Sequence, residues 1–197
     1  CGEVVDGDQL MSICGNYMKQ KGTLKKNTIV ATVMSNLGMF LMGEREGIHI
    51  EKTKVGDRYV LENMLENGYN IGGEQSGHII FLDENTTGDG LLSALHLLQV
   101  MTETKKKLSE LASIMEVLPQ ALVNAKVPNH KKEHFEEYAE IAEAIAEVEA
   151  KFAGEGRVLI RPSGTEPLVR VMIEGKDQQL IESEAQKLAE LISSIML

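Results

Sequence analysis

The chain has 197 residues, 43% of them hydrophobic and 25% charged, with a net charge of -10 at neutral pH. That length and apolar content suffice for one large or two small cores. The acidic balance argues against non-specific nucleic-acid binding and against docking on an anionic membrane, so an anionic ligand must be met by a local group of cations.

The sequence opens on Cys-Gly-Glu-Val-Val without a Met. This reads as the middle of a strand region, and a piece of a longer protein is expected. No apolar run approaches the ~20 residues of a membrane span, and no signal peptide is present. The two cysteines, Cys1 and Cys14, have neither metal-ligand spacing nor a disulfide framework, which suits a reducing compartment. Asp6-Gly7-Asp8 then precedes an amphipathic stretch over residues 9–18. Paired carboxylates suit a hard cation, but Asp8 as the N-cap of a helix explains the pair more simply. Residues 19–26 form a basic turn.

Residues 27–34 are a nearly continuous apolar run, the mark of a strand covered on both faces. Ser35 and Asn36 follow, then a helix over 37–44. Polar residues at the carboxyl end of a parallel strand either line a ligand crevice or merely cap the helix. A short strand (48–51), a polar turn (53–58), a helix (59–67) and another strand (69–72) continue the alternation of an α/β layer fold.

Gly72-Gly73-Glu74-Gln75-Ser76-Gly77-His78 precedes a strand over 79–82. Its glycines let backbone approach a ligand. Glu74 and Ser76 can satisfy vicinal sugar hydroxyls, and His78 can hydrogen-bond or shuttle a proton near neutral pH. A tight loop with a solvated Glu has the same composition. Asp89 should cap a long helix bearing Leu91, Leu92, Ala94, Leu95, Leu98 and Met101 at helical spacing. Lys105-Lys106-Lys107 is a solvated charge run, and a shorter helix spans 108–115.

Pro119 ends this unit, so the domains are expected at 1–118 and 119–197. The second should contain a strand (121–127), one amphipathic helix (132–152), two strands flanking a loop, and a last helix (178–196) capped by Asp177. That order gives a small α+β layer with helices on one face of a mostly antiparallel sheet. The loop is Arg161-Pro162-Ser163-Gly164-Thr165-Glu166-Pro167-Leu168-Val169-Arg170. Two guanidinium groups, two hydroxyls and a Gly suit a phosphate, through bidentate hydrogen bonds and a nest of N–H groups. The alternative is a surface hairpin with ordinary charged rims.

Three stretches together resemble the α-D-phosphohexomutases over essentially the whole chain. Residues 73–78 resemble their sugar-binding loop, residues 161–170 their phosphate-binding loop, and residues 53–60 a further loop of their third domain. Val33-Met34-Ser35-Asn36 and residues 87–95 are most similar to the bacterial amino-sugar branch of the family. The resemblance implies a three-layer α/β domain like the third domain of the family, preceded by a remnant of the second. A small α+β domain of the TATA-box-binding-protein type should follow.

The resemblance also implies that Arg161, Ser163, Gly164, Thr165 and Arg170 bind phosphate, while Glu74, Ser76 and His78 meet the sugar. His78 is then a candidate proton shuttle, and Ser35, Asn36, Asp57 and Arg58 are candidates for the cleft wall. The implied activity is a cytoplasmic isomerase interconverting glucosamine 6-phosphate and glucosamine 1-phosphate, for peptidoglycan precursors, through a phosphoserine and a bisphosphate. Glucose or mannose phosphates are the alternative substrates. The family's phosphoserine segment and its Asp-rich magnesium loop have no counterpart in these 197 residues. Mg2+ is therefore expected in the full-length enzyme, without ligands from this chain. The partners expected are a hexosamine phosphate and the N-terminal half of the same protein, and the chain alone should bind without turnover. An inert sugar-phosphate-binding module or a pure scaffold are the other readings.

Overall fold

The computed structural model describes residues 2–154 and 156–197, and Cys1 lies outside the described residues. The chain divides into two compact units, Cys1–Val117 and Leu118–Leu197.

The first unit begins without a strand. Residues 2–6 have no regular structure, which corrects the strand expected at the opening. Helix α1 (Gly7–Gln20) is capped by Asp6, whose side chain accepts from the Gln9 N–H at 2.9 Å while the Gln9 side chain returns to the Asp6 N–H. This reciprocal box corrects the assignment of the cap to Asp8. Asp8 is fully buried instead and accepts from the Asn36 N–H at 2.7 Å.

Strand β1 (Thr28–Thr32) is buried along its whole length. It pairs in parallel with β2 (His49–Thr53) and with β3 (Ile71–Gly73), and β3 pairs antiparallel with β4 (Ile79–Phe81), in the order β2-β1-β3-β4. The pleat divides the apolar residues between two layers. Ile29, Ala31, Ile71, Ile79 and Phe81 meet α1, α2 (Leu37–Glu46), α4 (Gly90–Thr104) and α5 (Leu108–Ala112). Val30 and Ile80 meet Val60 and Met64 of α3 (Asp57–Asn67) on the other face. The continuous apolar run of β1 is thus the signature of a three-layer domain. Not every apolar residue of α4 goes inside. Leu91 is 73% exposed, and Leu95 and Leu98 are exposed with it, while Ser93 and Val100 are buried.

In the second unit β5 (Gln120–Lys126), β6 (Arg157–Pro162) and β7 (Leu168–Glu174) form an antiparallel sheet in the order β5-β7-β6. Val169, Val171 and Ile173 of β7 face α6 (Ala139–Phe152) and α7 (Gln178–Met196), which supply Ile141, Val148, Phe152, Ile181, Leu188 and Ile192 to one core. The single helix expected over 132–152 is two elements. A 3-10 helix, Lys132–Glu137, is separated from α6 by Tyr138, whose backbone is extended. Apolar periodicity does not register the break, because Phe135 and Ile141 reach the same core from either side of it. The two strands also run further into the expected loop than their β-branched residues suggest. Arg161 and Arg170 are strand residues, and residues 163–167 alone form the connection.

Candidate functional site

Chemistry gathers at one place in each unit. In the first, β1, β2 and β3 run parallel, so the segments that leave them (33–36, 54–56 and 74–78) emerge at the same carboxyl edge. The chain passes from β1 to one neighbour and returns on its other side. That reversal opens the crevice in which open α/β sheets hold ligands.

The 74–78 segment is tied down from several directions. The Glu74 N–H donates to the His78 carbonyl at 3.1 Å, and the Gly77 N–H donates to the Glu74 carbonyl at 3.0 Å. The Gly7 N–H donates to the Gln75 carbonyl at 3.0 Å. This approach of α1 needs glycine, since a Cβ on Gly7 would lie 2.2 Å from the Glu74 carbonyl oxygen. Glu74 Oε1 accepts from the Gly56 N–H at 3.0 Å, which binds two edge loops together. Its second carboxylate oxygen has no hydrogen bond among the described residues, and Glu74 is only half-buried. Ser76 is exposed. A carboxylate oxygen and a hydroxyl thus remain for a ligand's hydroxyls.

His78 is held by two contacts that ask for opposite states of one nitrogen. The Gly88 N–H points at Nε2 from 3.3 Å, and Asp57 Oδ2 lies 3.4 Å from the same atom. The amide needs an unprotonated Nε2 and the carboxylate needs a protonated one. The ring lies flush on Gly88, where a Cβ would come within 2.6 Å of it.

Asp57 is therefore brought to the loop. Arg58 instead forms an exposed pair with Glu62 along α3, at 2.7 Å, and its side chain is 81% exposed. Ser35 and Asn36 are buried, and Asn36 Oδ1 caps α2 by accepting from the Gly38 N–H at 3.0 Å. For Asn36 this is the helix-capping role that was one of the two readings of the pair.

In the second unit, Arg161 and Arg170 stand directly opposite one another on β6 and β7. Residues in register on an antiparallel pair share a face, and like charges so placed repel. No hydrogen bond or ion pair reaches the Arg161 guanidinium among the described residues. Burial, and then the neighbouring Arg170 charge, lower its pKa from the usual arginine value. Arg170 Nη2 meets Glu166 Oε2 at 3.0 Å, while its Nε is buried without a partner among the described residues.

The tip is shaped by its own backbone. The Ser163 N–H donates to the Leu168 carbonyl at 2.9 Å, and the Glu166 N–H donates to Ser163 Oγ at 3.3 Å. The N–H groups of Gly164 and Thr165 have no acceptor among the described residues, and both residues are exposed. Ser163 is buried and braces the turn. The hairpin thus carries two guanidinium groups, two N–H groups without an acceptor among the described residues and the Thr165 hydroxyl, with a single carboxylate, Glu166.

The sequence reading missed Lys132. It is 7% exposed, and its ammonium donates to the carbonyls of Ser163 and of Glu166, the latter at 3.3 Å. Its neighbours in sequence carry no signal of this, because a Lys opening an amphipathic run reads as a solvated start.

The donors present do not suit a metal. Asp6 is engaged at the helix cap and Asp8 is turned inward to Asn36. Among the described residues, no group of three or more His, Cys, Asp or Glu side chains is placed to hold an ion.

Comparison with known proteins gives a match in each unit. The family profile described as phosphoglucomutase/phosphomannomutase, alpha/beta/alpha domain III, matches residues 6–118, and that of the C-terminal domain matches residues 122–191. The chain is 63% identical over 191 residues to phosphoglucosamine mutase of Ruminiclostridium cellulolyticum and 64% identical over 191 residues to that of Acetivibrio thermocellus. Each match covers 97% of this chain and 42% of the relative, so the chain spans less than half the length of these curated relatives. Among solved structures, the Aspergillus fumigatus N-acetylphosphoglucosamine mutase in complex with GlcNAc-6P and magnesium superposes with a TM-score of 0.80 at 17% identity, covering 99% of this chain and 45% of that one. A putative phosphomannomutase from Thermus thermophilus superposes at 0.62 with 23% identity, over 94% of this chain and 41% of that one. These structures share the fold. With a family profile matching more than half of its residues and a second profile covering most of the rest, the chain belongs to the phosphoglucomutase/phosphomannomutase family.

Proposed function

We propose that this chain is the substrate-holding C-terminal part of a phosphoglucosamine mutase. Its second unit carries a grip for a phosphate group, and its first unit carries groups suited to sugar hydroxyls. The observation that carries the reading is the in-register pair Arg161 and Arg170. Two like charges on facing strands, one with no counter-ion among the described residues, are stable chiefly when an anion joins them. The free N–H groups of Gly164 and Thr165 and the Thr165 hydroxyl extend the same donor set, and the Ser163 hydroxyl can still donate while its oxygen accepts from Glu166. The close relatives, at about 60% identity, are named phosphoglucosamine mutases, which supports an amino sugar as the substrate.

In the reaction implied by the family resemblance, a phosphoserine carried outside this chain gives its phosphoryl group to a sugar hydroxyl. The serine O–P bond breaks, a sugar O–P bond forms, and the hydroxyl proton passes to a base. The resulting bisphosphate turns round, and its other phosphate returns to the serine. Transfer of this kind rests on positioning and on neutralising charge. The hairpin holds the phosphate that is not reacting. Glu74 and Ser76 hold hydroxyls loosely enough for both orientations of the ring. His78, held between Asp57 and Gly88, is the residue of this chain to which we assign proton transfer. For the magnesium present with GlcNAc-6P in the Aspergillus fumigatus enzyme, no group of three or more His, Cys, Asp or Glu side chains is placed among the described residues, and we assign its ligands to the rest of the protein.

The reading places the protein in the cytoplasm. Supporting this, Cys14 is a buried unpaired thiol, and no helix among the described residues is long and apolar enough to cross a membrane.

Calorimetric titration with glucosamine 6-phosphate tests the clamp. Losing a charge-assisted hydrogen bond costs about 1.5–3 kcal/mol, so Arg161→Ala should bind roughly 10- to 150-fold more weakly than the unaltered chain. Equal affinities would end the phosphate reading. A substrate panel on the full-length protein tests the sugar: a clear preference for glucose or mannose phosphates would replace the glucosamine assignment. Isomerisation by the purified 197-residue chain would contradict its holding role.

A further inference from the structure

We infer that Lys132 is a positioning residue for the phosphate-binding hairpin, acting from beneath the tip to turn its backbone donors outward. The inference rests on the phosphate reading of Arg161 and Arg170. A Lys is rarely buried, because its ammonium gives up hydration that only good acceptors replace. Lys132 is 7% exposed, and the acceptors it finds are main-chain carbonyls of Ser163 and Glu166, thirty-one and thirty-four residues away in sequence. Neither is a carboxylate, so the ammonium keeps its charge unneutralised by these contacts. It adds a third cation to a hairpin whose residues 161–170 include one acidic side chain.

The consequence for the ligand follows from peptide geometry. In a trans peptide the C=O and the following N–H point in opposite directions. The Ser163 carbonyl points inward to Lys132, so the Gly164 N–H of the same peptide points outward, and Gly164 is exposed. The Glu166 carbonyl is fixed from two sides, by Lys132 and by the Leu168 N–H at 2.9 Å. The bond after Glu166 leads to Pro167, which has no N–H to present. Of the two peptides it holds, Lys132 therefore orients the one that carries a donor, the Gly164 N–H. Lys132 opens the 3-10 helix that precedes α6.

The test compares the unaltered 197-residue chain, Lys132→Met and Lys132→Gln by amide NMR titration with inorganic phosphate. The Gln variant keeps a neutral donor for the two carbonyls. In the unaltered chain, phosphate should shift the Gly164 amide together with the side-chain Nε–H signals of Arg161 and Arg170. In Lys132→Met the Gly164 amide should lose its response and affinity should fall roughly tenfold, the loss of about one charge-assisted bond, while the arginine signals still move. Lys132→Gln should restore the Gly164 response with affinity between the two. A purely structural Lys would not separate the Gly164 signal from the arginine signals. If Lys132→Met does not fold, the Gln variant decides alone: a Gly164 response with weakened affinity supports the inference, and unchanged affinity overturns it. Equal affinity and equal Gly164 shifts in all three chains remove the role of Lys132 and leave the clamp standing. Absence of any phosphate response in the unaltered chain removes the clamp and this inference together.

Discussion

Replacing Arg161 with Met should stabilise the phosphate-free protein and reverse its rank once phosphate is added. Met keeps an apolar stem where the Arg stem packs and removes only the charged head. In the free protein that head faces Arg170 directly across the strands and meets no acceptor among the described residues. Like charges directly opposite on an antiparallel pair cost about 0.2–1 kcal/mol. Taking ~0.5 kcal/mol, and ~4–8 °C per kcal/mol for a unit of about 80 residues, the free variant should melt ~2–4 °C higher.

Phosphate changes the sign. At a concentration one hundred times the Kd of the unaltered protein, binding adds about 2.7 kcal/mol. A variant whose Kd is about tenfold weaker gains only about 1.4 kcal/mol at the same concentration. Even with its ~0.5 kcal/mol head start, it then lies ~0.8 kcal/mol below the unaltered protein. Scanning calorimetry at low ionic strength, with and without phosphate, reads both numbers. The transition of the second unit is identified by its shift in Ile181→Ala, a fully buried core position. A lower melting point for phosphate-free Arg161→Met would refute the repulsion argument, and an equal gain from phosphate in both proteins would refute the clamp.

Three further outcomes are expected. Glu166→Gln removes the exposed carboxylate that covers Arg170; since such pairs are worth about 0.2–1 kcal/mol, phosphate should bind roughly 1.5- to 5-fold more tightly, and weaker binding in a titration would contradict the placement of Glu166 as a competing anion. Arg157→Met leaves the fully buried Glu174 without its 2.6 Å ion-pair partner, so urea unfolding should show the second unit losing about 3–5 kcal/mol; a loss well under 1 kcal/mol would show that this pair is not what holds the strand ends. Hydrogen bonds from Lys21, then Tyr17 and Gln99, hold the Glu103 carboxyl down at about 2. A folded value below the unfolded one stabilises above the ordinary pKa of 4.5 and fades as pH falls toward 2. The difference in urea midpoint between the unaltered chain and Glu103→Gln should therefore be present at pH 6 and close by pH 2, whereas a constant difference would mean that the carboxylate charge plays no part.

The sequence carried the layer order because burial leaves a pattern in it. The unbroken apolar run of β1 announced a sheet covered on both faces, and the two Arg residues flanking Ser-Gly-Thr are the basis of the proposed anion site in an acidic chain. What stayed hidden depends on partners distant in sequence. Asp8 looks like a helix cap until Asn36 is seen to donate to it. Lys132 looks solvated until the hairpin carbonyls arrive thirty residues later. The apolar stripe over 132–152 reads as one helix because both pieces feed the same core, so periodicity reports the destination of the side chains and not the path of the backbone. Arg161 and Arg170 stood out in the sequence as candidate donors, but their cross-strand register, which gives the repulsion its force, exists only in the folded sheet.

The amide and arginine NMR spectrum of the intact chain during addition of glucosamine 6-phosphate probes the central claim most directly. Joint, saturable movement of the Gly164 and Thr165 amides with both Arg161 and Arg170 side chains, accompanied by the Glu74–Gly77 amides, is the predicted result. A spectrum in which those hairpin signals stay fixed while other surfaces respond, or in which glucosamine without its phosphate moves them equally, would contradict it.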